Sequence, residues 1–133
     1  MAMGTVLLVD DDTNTLRSLE FVLSAAGFNV LTAANGVVAL LLIVDAMKGK
    51  DPIRIVLTDI QMPLLSGLEL IDQIRRLDRW IPILVITAYR DANLERELGK
   101  RGCKRILDKP LNDEVLIASM QSLLVEDNSG ALR

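Results

Sequence analysis

The chain has 133 residues, of which 50% are hydrophobic, 25% charged and 3% aromatic, with a net charge of −3; that supplies the core of one domain and too little for two, and it excludes disorder. One cysteine and no histidine exclude a disulfide scaffold, a cysteine zinc cluster and the Ser-His-Asp, Cys-His and His-based metalloprotease chemistries. The acidic balance argues against nucleic-acid binding by the domain as a whole, so carboxylates, hydroxyls and lysines must carry any chemistry.

In chain order, the first apolar run, Thr5–Val9, is preceded by no basic stretch or cleavage-like site. Its strand leads through Asp10, Asp11 and Asp12 into a helix over 13–26, with Leu16, Leu19, Val22 and Leu23 on one face and Gly27 as the stop. Residues 28–31 suit a second strand, and Gly36–Lys48, closed by Gly49, a second helix. Residues 53–58 form a third strand ending at Asp59; Ser66 caps a third helix with Leu70, Ile71, Ile74 and Leu77 at helical spacing. A fourth strand, 83–87, ends in Thr87, and a fourth helix, 92–101, ends at Gly102. The fifth strand, 105–107, runs into Lys109-Pro110; Asn112 then precedes a helix through Leu124 that turns Val115, Leu116, Met120 and Leu123 inward. The longest apolar run, 37–44, is far short of the ~20 residues that span a bilayer. The expectation is a cytoplasmic protein with no membrane contact. Residues 1–125 are read as the domain and the polar stretch 126–133 as a tail or the start of a linker.

Strict alternation of near-continuous apolar strands with helices predicts an α/β fold, a doubly wound parallel sheet covered on both faces. In such sheets ligands sit beyond the carboxyl ends of the strands, where Asp10, Asp11, Asp59, Thr87 and Lys109 all fall. Each has an ordinary reading: Asp12 as an N-cap, Asp59 as a turn residue, Thr87 as a cap, Lys109 as a solvated charge. Those readings give no reason for sharing one edge. Three neighbouring carboxylates (Asp10, Asp11, Asp59) repel one another, and a hard divalent cation, Mg²⁺ or Mn²⁺, relieves this. A phosphoryl group held there would meet the Lys109 ammonium and the Thr87 hydroxyl, and Asp59, on a central strand, is the best placed to attack in line and become an acyl phosphate.

From about Thr5 to Leu124 the sequence resembles the receiver domains of response regulators in two-component signalling, through residues 8–12 (Leu-Val-Asp-Asp-Asp), residues 59–63 (Asp-Ile-Gln-Met-Pro) with Gly67, residues 86–88 (Ile-Thr-Ala) and residues 108–110 (Asp-Lys-Pro). The resemblance implies a flavodoxin-like (βα)5 fold with strand order 2-1-3-4-5, a family arrangement the order is borrowed from. It implies Asp59 as phosphoacceptor, Asp11 as direct and Asp10 as water-mediated Mg²⁺ ligand with the Gln61 backbone carbonyl, Thr87 and Lys109 as the phosphoryl-sensing pair, and a cis Lys109–Pro110 bond. The donor would be a phosphohistidine on a sensor histidine kinase or phosphotransfer protein, and the domain would catalyse only its own phosphotransfer and autodephosphorylation rather than act as an enzyme.

Three features are particular to this sequence within the family resemblance. Ile106 stands where the family commonly has Tyr or Phe, which unsettles the usual read-out; Gln61 and Tyr89 occupy the two loop positions that set acyl-phosphate lifetime, and Tyr89 is large enough to exclude water. The second helix is apolar all round at 37–44, so that either residues 47–52 cover it or it offers a surface to a partner or a second copy. The basic stretch 100–105 reads as a solvated rim, and Arg96, Lys100 and Arg101 would meet Asp113 and Glu114 in a homodimer through the fourth helix, fifth strand and fifth helix. Cys103 reads as a small, partly buried residue without chemistry. Two rivals remain: an aspartyl phosphatase, which Gln61 in place of a second aspartate opposes, and a degenerate receiver acting as a phosphorylation-independent interaction module, which Ile106 alone supports.

Overall fold

The computed structural model describes residues 3–130, with side chains described through Glu126. Strands β1 (Thr5–Val9), β2 (Asn29–Ala33), β3 (Ile53–Asp59), β4 (Ile83–Thr87) and β5 (Arg105–Asp108) alternate with helices α1 (Thr13–Ala25), α2 (Gly36–Lys48), α3 (Gly67–Leu77), α4 (Ala92–Lys100) and α5 (Asp113–Gly130). All pairings are parallel and the order is β2-β1-β3-β4-β5, as the resemblance implied. The chain steps from β1 outward to β2 and then back across to β3, so the carboxyl ends of β1 and β3 flank the point where the winding reverses.

Alternation along the central strands feeds two cores. Leu7, Val9, Val56 and Val85 face Ala39 and Ile43 of α2, Leu70, Ile71 and Ile74 of α3, and Leu94 and Leu98 of α4. Val6, Leu8, Ile55, Leu57, Leu84 and Ile86 face Leu16, Leu19 and Leu23 of α1 and Leu116, Met120, Leu123 and Leu124 of α5. Each helix begins on a polar cap: Asp12, Asn35 and Asp91 accept from Asn14, Val38 and Leu94 amides, Ser66 and Glu69 form a reciprocal box, and Asn112 accepts from Val115. Asp12 therefore does what its ordinary reading said, and hydrogen bonds from the Thr15 hydroxyl and the Asn14 amide hold its carboxyl below the usual range.

Boundaries differ in places. Strand β2 begins after Phe28, whose ring is buried with α1 instead of pairing in the sheet. Val115 is exposed, not inward, because Leu116 and Met120 take the buried stripe of α5, and that helix runs to Gly130, past the expected Leu124. The last three residues of the expected tail, 131–133, lie outside the described residues. Cys103 is buried, and burial pushes its thiol up. No helix among the described residues is long and apolar enough to cross a membrane.

Helix α2 buries only Gly36, Ala39 and Ile43. Residues 47–52 are themselves exposed and do not cover it, so Val37, Leu41 and Val44 form an apolar strip with Leu41 66% exposed. The two faces of α2 should respond oppositely to substitution. Leu41→Glu is expected to leave the urea-unfolding free energy within about 0.5 kcal/mol of wild type. Ile43→Ala, at a site only 3% exposed, should lose roughly 2–5 kcal/mol.

Candidate functional site

Strand register alone assembles the rim. Val9 pairs with Thr58, so Asp10 and Asp59 leave their strands side by side. Asp59 pairs with Ile86, and Thr87 with Asp108, so Thr87 and Lys109 arrive one step further along β4 and β5. The Lys109 amide donates to the Thr87 carbonyl (2.9 Å), and the Lys109–Pro110 bond is cis.

The Lys109 ammonium bridges the two inner carboxylates, donating to Asp59 Oδ2 at 2.8 Å and to Asp10 Oδ2 at 3.0 Å. The other oxygen of Asp59 accepts from the amides of Ile60 (2.6 Å) and Gln61 (3.2 Å), and Asp10 Oδ1 accepts from the Asp12 amide (2.9 Å). Asp11 is exposed at the mouth, and the carboxylates of Asp10, Asp11 and Asp59 each offer an oxygen within 4.8 Å of the others. The loop carrying Ile60 and Gln61 is pinned from behind: the Gly67 amide donates to the Ile60 carbonyl (2.8 Å), and a Cβ at Gly67 would strike the Asp59 carbonyl and the Ile60 backbone. Only glycine permits that approach.

Thr87 is buried, and its hydroxyl is turned to the loop that follows, accepting from the Tyr89 amide (3.1 Å) and donating to the Tyr89 carbonyl (3.4 Å). Tyr89 is 72% exposed. Ile106 is half-buried, and its carbonyl faces Arg90. The structure thus gathers Asp10, Asp11, Asp59 and Lys109, holds Gln61 by its backbone, and engages the Thr87 hydroxyl with Tyr89. Arg90 was not anticipated from the sequence. It pairs with Glu95 (2.7 Å) and Asp108 (3.5 Å), and its partner on β5 is close only because Thr87 and Asp108 are in register.

Electrostatics favour a cation here. Three carboxylates against one ammonium leave the rim negative. Burial pushes the Asp10 carboxyl up; the Asp12 amide and Lys109 pull it down, and the neighbouring Asp59 adds to the rise. Burial pulls Lys109 down, but its hydrogen bonds to Asp59 and Asp10 outweigh that, and its net shift is upward. These donors are all hard oxygens, which suits Mg²⁺ or Mn²⁺.

The basic residues expected at a two-fold contact are largely engaged within the chain. Arg101 pairs with Asp72 and Glu97, Lys100 pairs with Glu97, and Arg96 donates to the Asn93 carbonyl oxygen of the side chain.

Because Asp10 binds its proton more tightly folded than unfolded, its contribution to stability falls as pH rises from the ordinary value of 3.8 through the raised folded value and is flat above it. Urea midpoints measured from pH 3.5 to pH 7 are expected to show Asp10→Asn gaining on wild type over that window. At neutral pH without divalent cation the variant should be the more stable of the two.

Comparison with known proteins shows the family and the fold. The family model for the response regulator receiver domain matches residues 6–121. The transcriptional regulatory protein CpxR homolog of Haemophilus influenzae is 37% identical over 123 residues, covering 92% of this chain and 51% of that protein. The chain thus spans about half the length of the curated relatives it matches. Among solved structures, the chemotaxis protein CheY4 of Vibrio cholerae superposes with a TM-score of 0.82 at 30% identity, covering 92% of this chain and 99% of that one. The CheX–CheY–BeF3–Mg²⁺ complex of Borrelia burgdorferi gives a TM-score of 0.84 at 28% identity, covering 92% of this chain and 90% of that one.

Proposed function

The chain belongs to the response regulator receiver domain family of two-component signalling, and from that premise we propose that Asp59 is its phosphoacceptor, charged by a phosphohistidine on a sensor histidine kinase or phosphotransfer protein. The observation that carries the assignment is the anchoring of this one side chain: two backbone amides hold Oδ1 and the Lys109 ammonium holds Oδ2, at the end of a central strand beside two further carboxylates. A carboxylate fixed in this way is aimed for in-line attack. In the step, the Asp59 oxygen forms the new O–P bond as the N–P bond to the donor imidazole breaks, and the leaving nitrogen keeps the electron pair. A carboxylate nucleophile, unlike a hydroxyl, needs no general base.

Asp10, Asp11, Asp59 and the Gln61 backbone carbonyl would hold Mg²⁺ or Mn²⁺, which supplies charge neutralisation between the carboxylates and the phosphoryl oxygens. Lys109 would move from its carboxylate pair to a phosphoryl oxygen, and Thr87, by rotating its hydroxyl away from Tyr89, would donate to another. The CheY of Borrelia burgdorferi, solved with BeF3 and Mg²⁺ bound, supports this arrangement by likeness. In this reading the domain turns over no diffusible substrate and promotes only its own phosphorylation and autodephosphorylation. Residues 1–125 form the receiver unit and 126–133 a tail or linker, with α5 continuing through Gly130. Its setting is the cytoplasm, where histidine kinases are charged. A second copy meeting the α4–β5–α5 face, or a partner on the apolar strip of α2, belongs to the same proposal.

Intact mass after incubation with acetyl phosphate and Mg²⁺ is expected to show one added phosphoryl group on wild type and none on Asp59→Asn or after chelation. Uptake that persists in Asp59→Asn would refute the assignment. For the lifetime, turning the Thr87 hydroxyl inward would release the Tyr89 backbone that it holds, leaving the ring of that exposed residue free to cover the acyl phosphate. Tyr89→Ala should therefore shorten the acyl-phosphate half-life several-fold, measured by loss of the mass adduct, whereas an unchanged rate would remove Tyr89 from that role.

A further inference from the structure

Among the described residues, Arg90 is the one side chain that joins the β4–α4 loop to both α4 and β5. Its Nε donates to Glu95 Oε1 on α4 at 2.7 Å, and a terminal nitrogen lies 3.5 Å from Asp108 Oδ2 and 3.5 Å from the Ile106 carbonyl on β5. It stands at the edge of a cleft of about 330 Å³ lined by Ile106, Leu107, Pro110, Leu111 and Val115. Two covalent links make the pair sensitive to the rim: Arg90 follows Tyr89, whose backbone holds the Thr87 hydroxyl, and Asp108 precedes Lys109.

We propose that the Arg90–Asp108 pair is a latch of the unphosphorylated arrangement, and that Arg90 is the positioning residue through which Thr87 transmits occupancy of Asp59 to β5. This rests on the reading of Asp59 as phosphoacceptor. The Thr87 hydroxyl has one proton, which cannot serve both the Tyr89 carbonyl and a phosphoryl oxygen. When it turns inward the loop loses that tether and moves. The two 3.5 Å contacts to β5 are the longest that Arg90 makes and break first, while the 2.7 Å bond keeps it on α4. Asp108 and the Ile106 carbonyl then lose Arg90 as their partner. The pair is largely solvent-exposed, with Arg90 and Asp108 side chains 40% and 62% accessible, so its hold is weak enough to be released by a single hydrogen-bond exchange.

The test is the binding of beryllofluoride with Mg²⁺ to the full chain, followed by calorimetry and by hydrogen exchange of the β5 amides. By field alone, removing a cation near an anion site weakens binding. A latch made only in the empty state predicts the opposite: Arg90→Ala should bind about two- to fivefold tighter, the range an exposed ion pair supports. In an Asp108→Asn background the same substitution should no longer tighten binding, and β5 exchange, which rises on ligand addition in wild type, should already be raised in unliganded Arg90→Ala. Unchanged or weaker binding by Arg90→Ala, or equal tightening in both backgrounds, overturns the latch. If wild type binds beryllofluoride and Arg90→Ala matches it, the latch fails and the assignment of Asp59 stands; if wild type neither binds it nor takes up phosphate from acetyl phosphate, both fall.

Discussion

A single ammonium holds the rim of this sheet together. Asp10 and Asp59 sit side by side because β1 and β3 are paired in register, and neither carboxylate has much water around it. Two like charges in that position repel one another. Lys109 offsets that repulsion from just past β5, two strands from β3 and three from β1, with hydrogen bonds at 2.8 and 3.0 Å. The geometry leaves a surplus of negative charge facing solvent through Asp11. A divalent cation and a phosphoryl group together would satisfy all four side chains, so the rim is complementary to that pair.

That complementarity explains the division of labour along the rim. The groups on β1 and β3 are anchored: Asp59 by backbone amides, Asp10 by the Asp12 amide, and the β3–α3 loop by the close approach of Gly67. Those on β4 and β5 are held by exchangeable contacts. Thr87 spends its hydroxyl on the next loop, and Arg90 spans exposed carboxylates. Under the proposed assignment of Asp59, a fixed nucleophile beside movable sensing groups is what a switch requires, because the nucleophile must be aimed before the phosphoryl group arrives and the sensors must respond after it.

Away from the rim, the chain neutralises itself. Arg75 places its guanidinium on the carbonyls of Ile81, Arg101 and Gly102, closing the turn into β5, while Arg101 and Lys100 pair with acids of α3 and α4. The basic stretch before β5 is therefore largely structural. The apolar strip of α2 is the contrasting case, a surface whose composition suits burial but which the fold leaves in solvent.

Much of this was legible in the sequence. Apolar runs of strand length alternating with helical stripes dictate a covered parallel sheet, since no other arrangement buries them all. Polar caps and the glycines after α1 and α4 mark most helix ends, and a polar residue at the end of β1, β3 and β4, with Lys109 just past β5, locates the site. Local pattern carries that information because each signal depends on neighbours a few residues apart. It fails where the deciding neighbour is distant. Val115 has the spacing of a buried residue, yet Leu116 and Met120 win the contact with β3 and β4. Whether α2 would be covered depended on where residues 47–52 travel. The engagement of Thr87 with Tyr89, the reach of Arg90 to Asp108, and the bridge from Lys109 to carboxylates 50 and 99 residues away all follow from strand register and side-chain geometry in three dimensions, which no one-dimensional periodicity encodes.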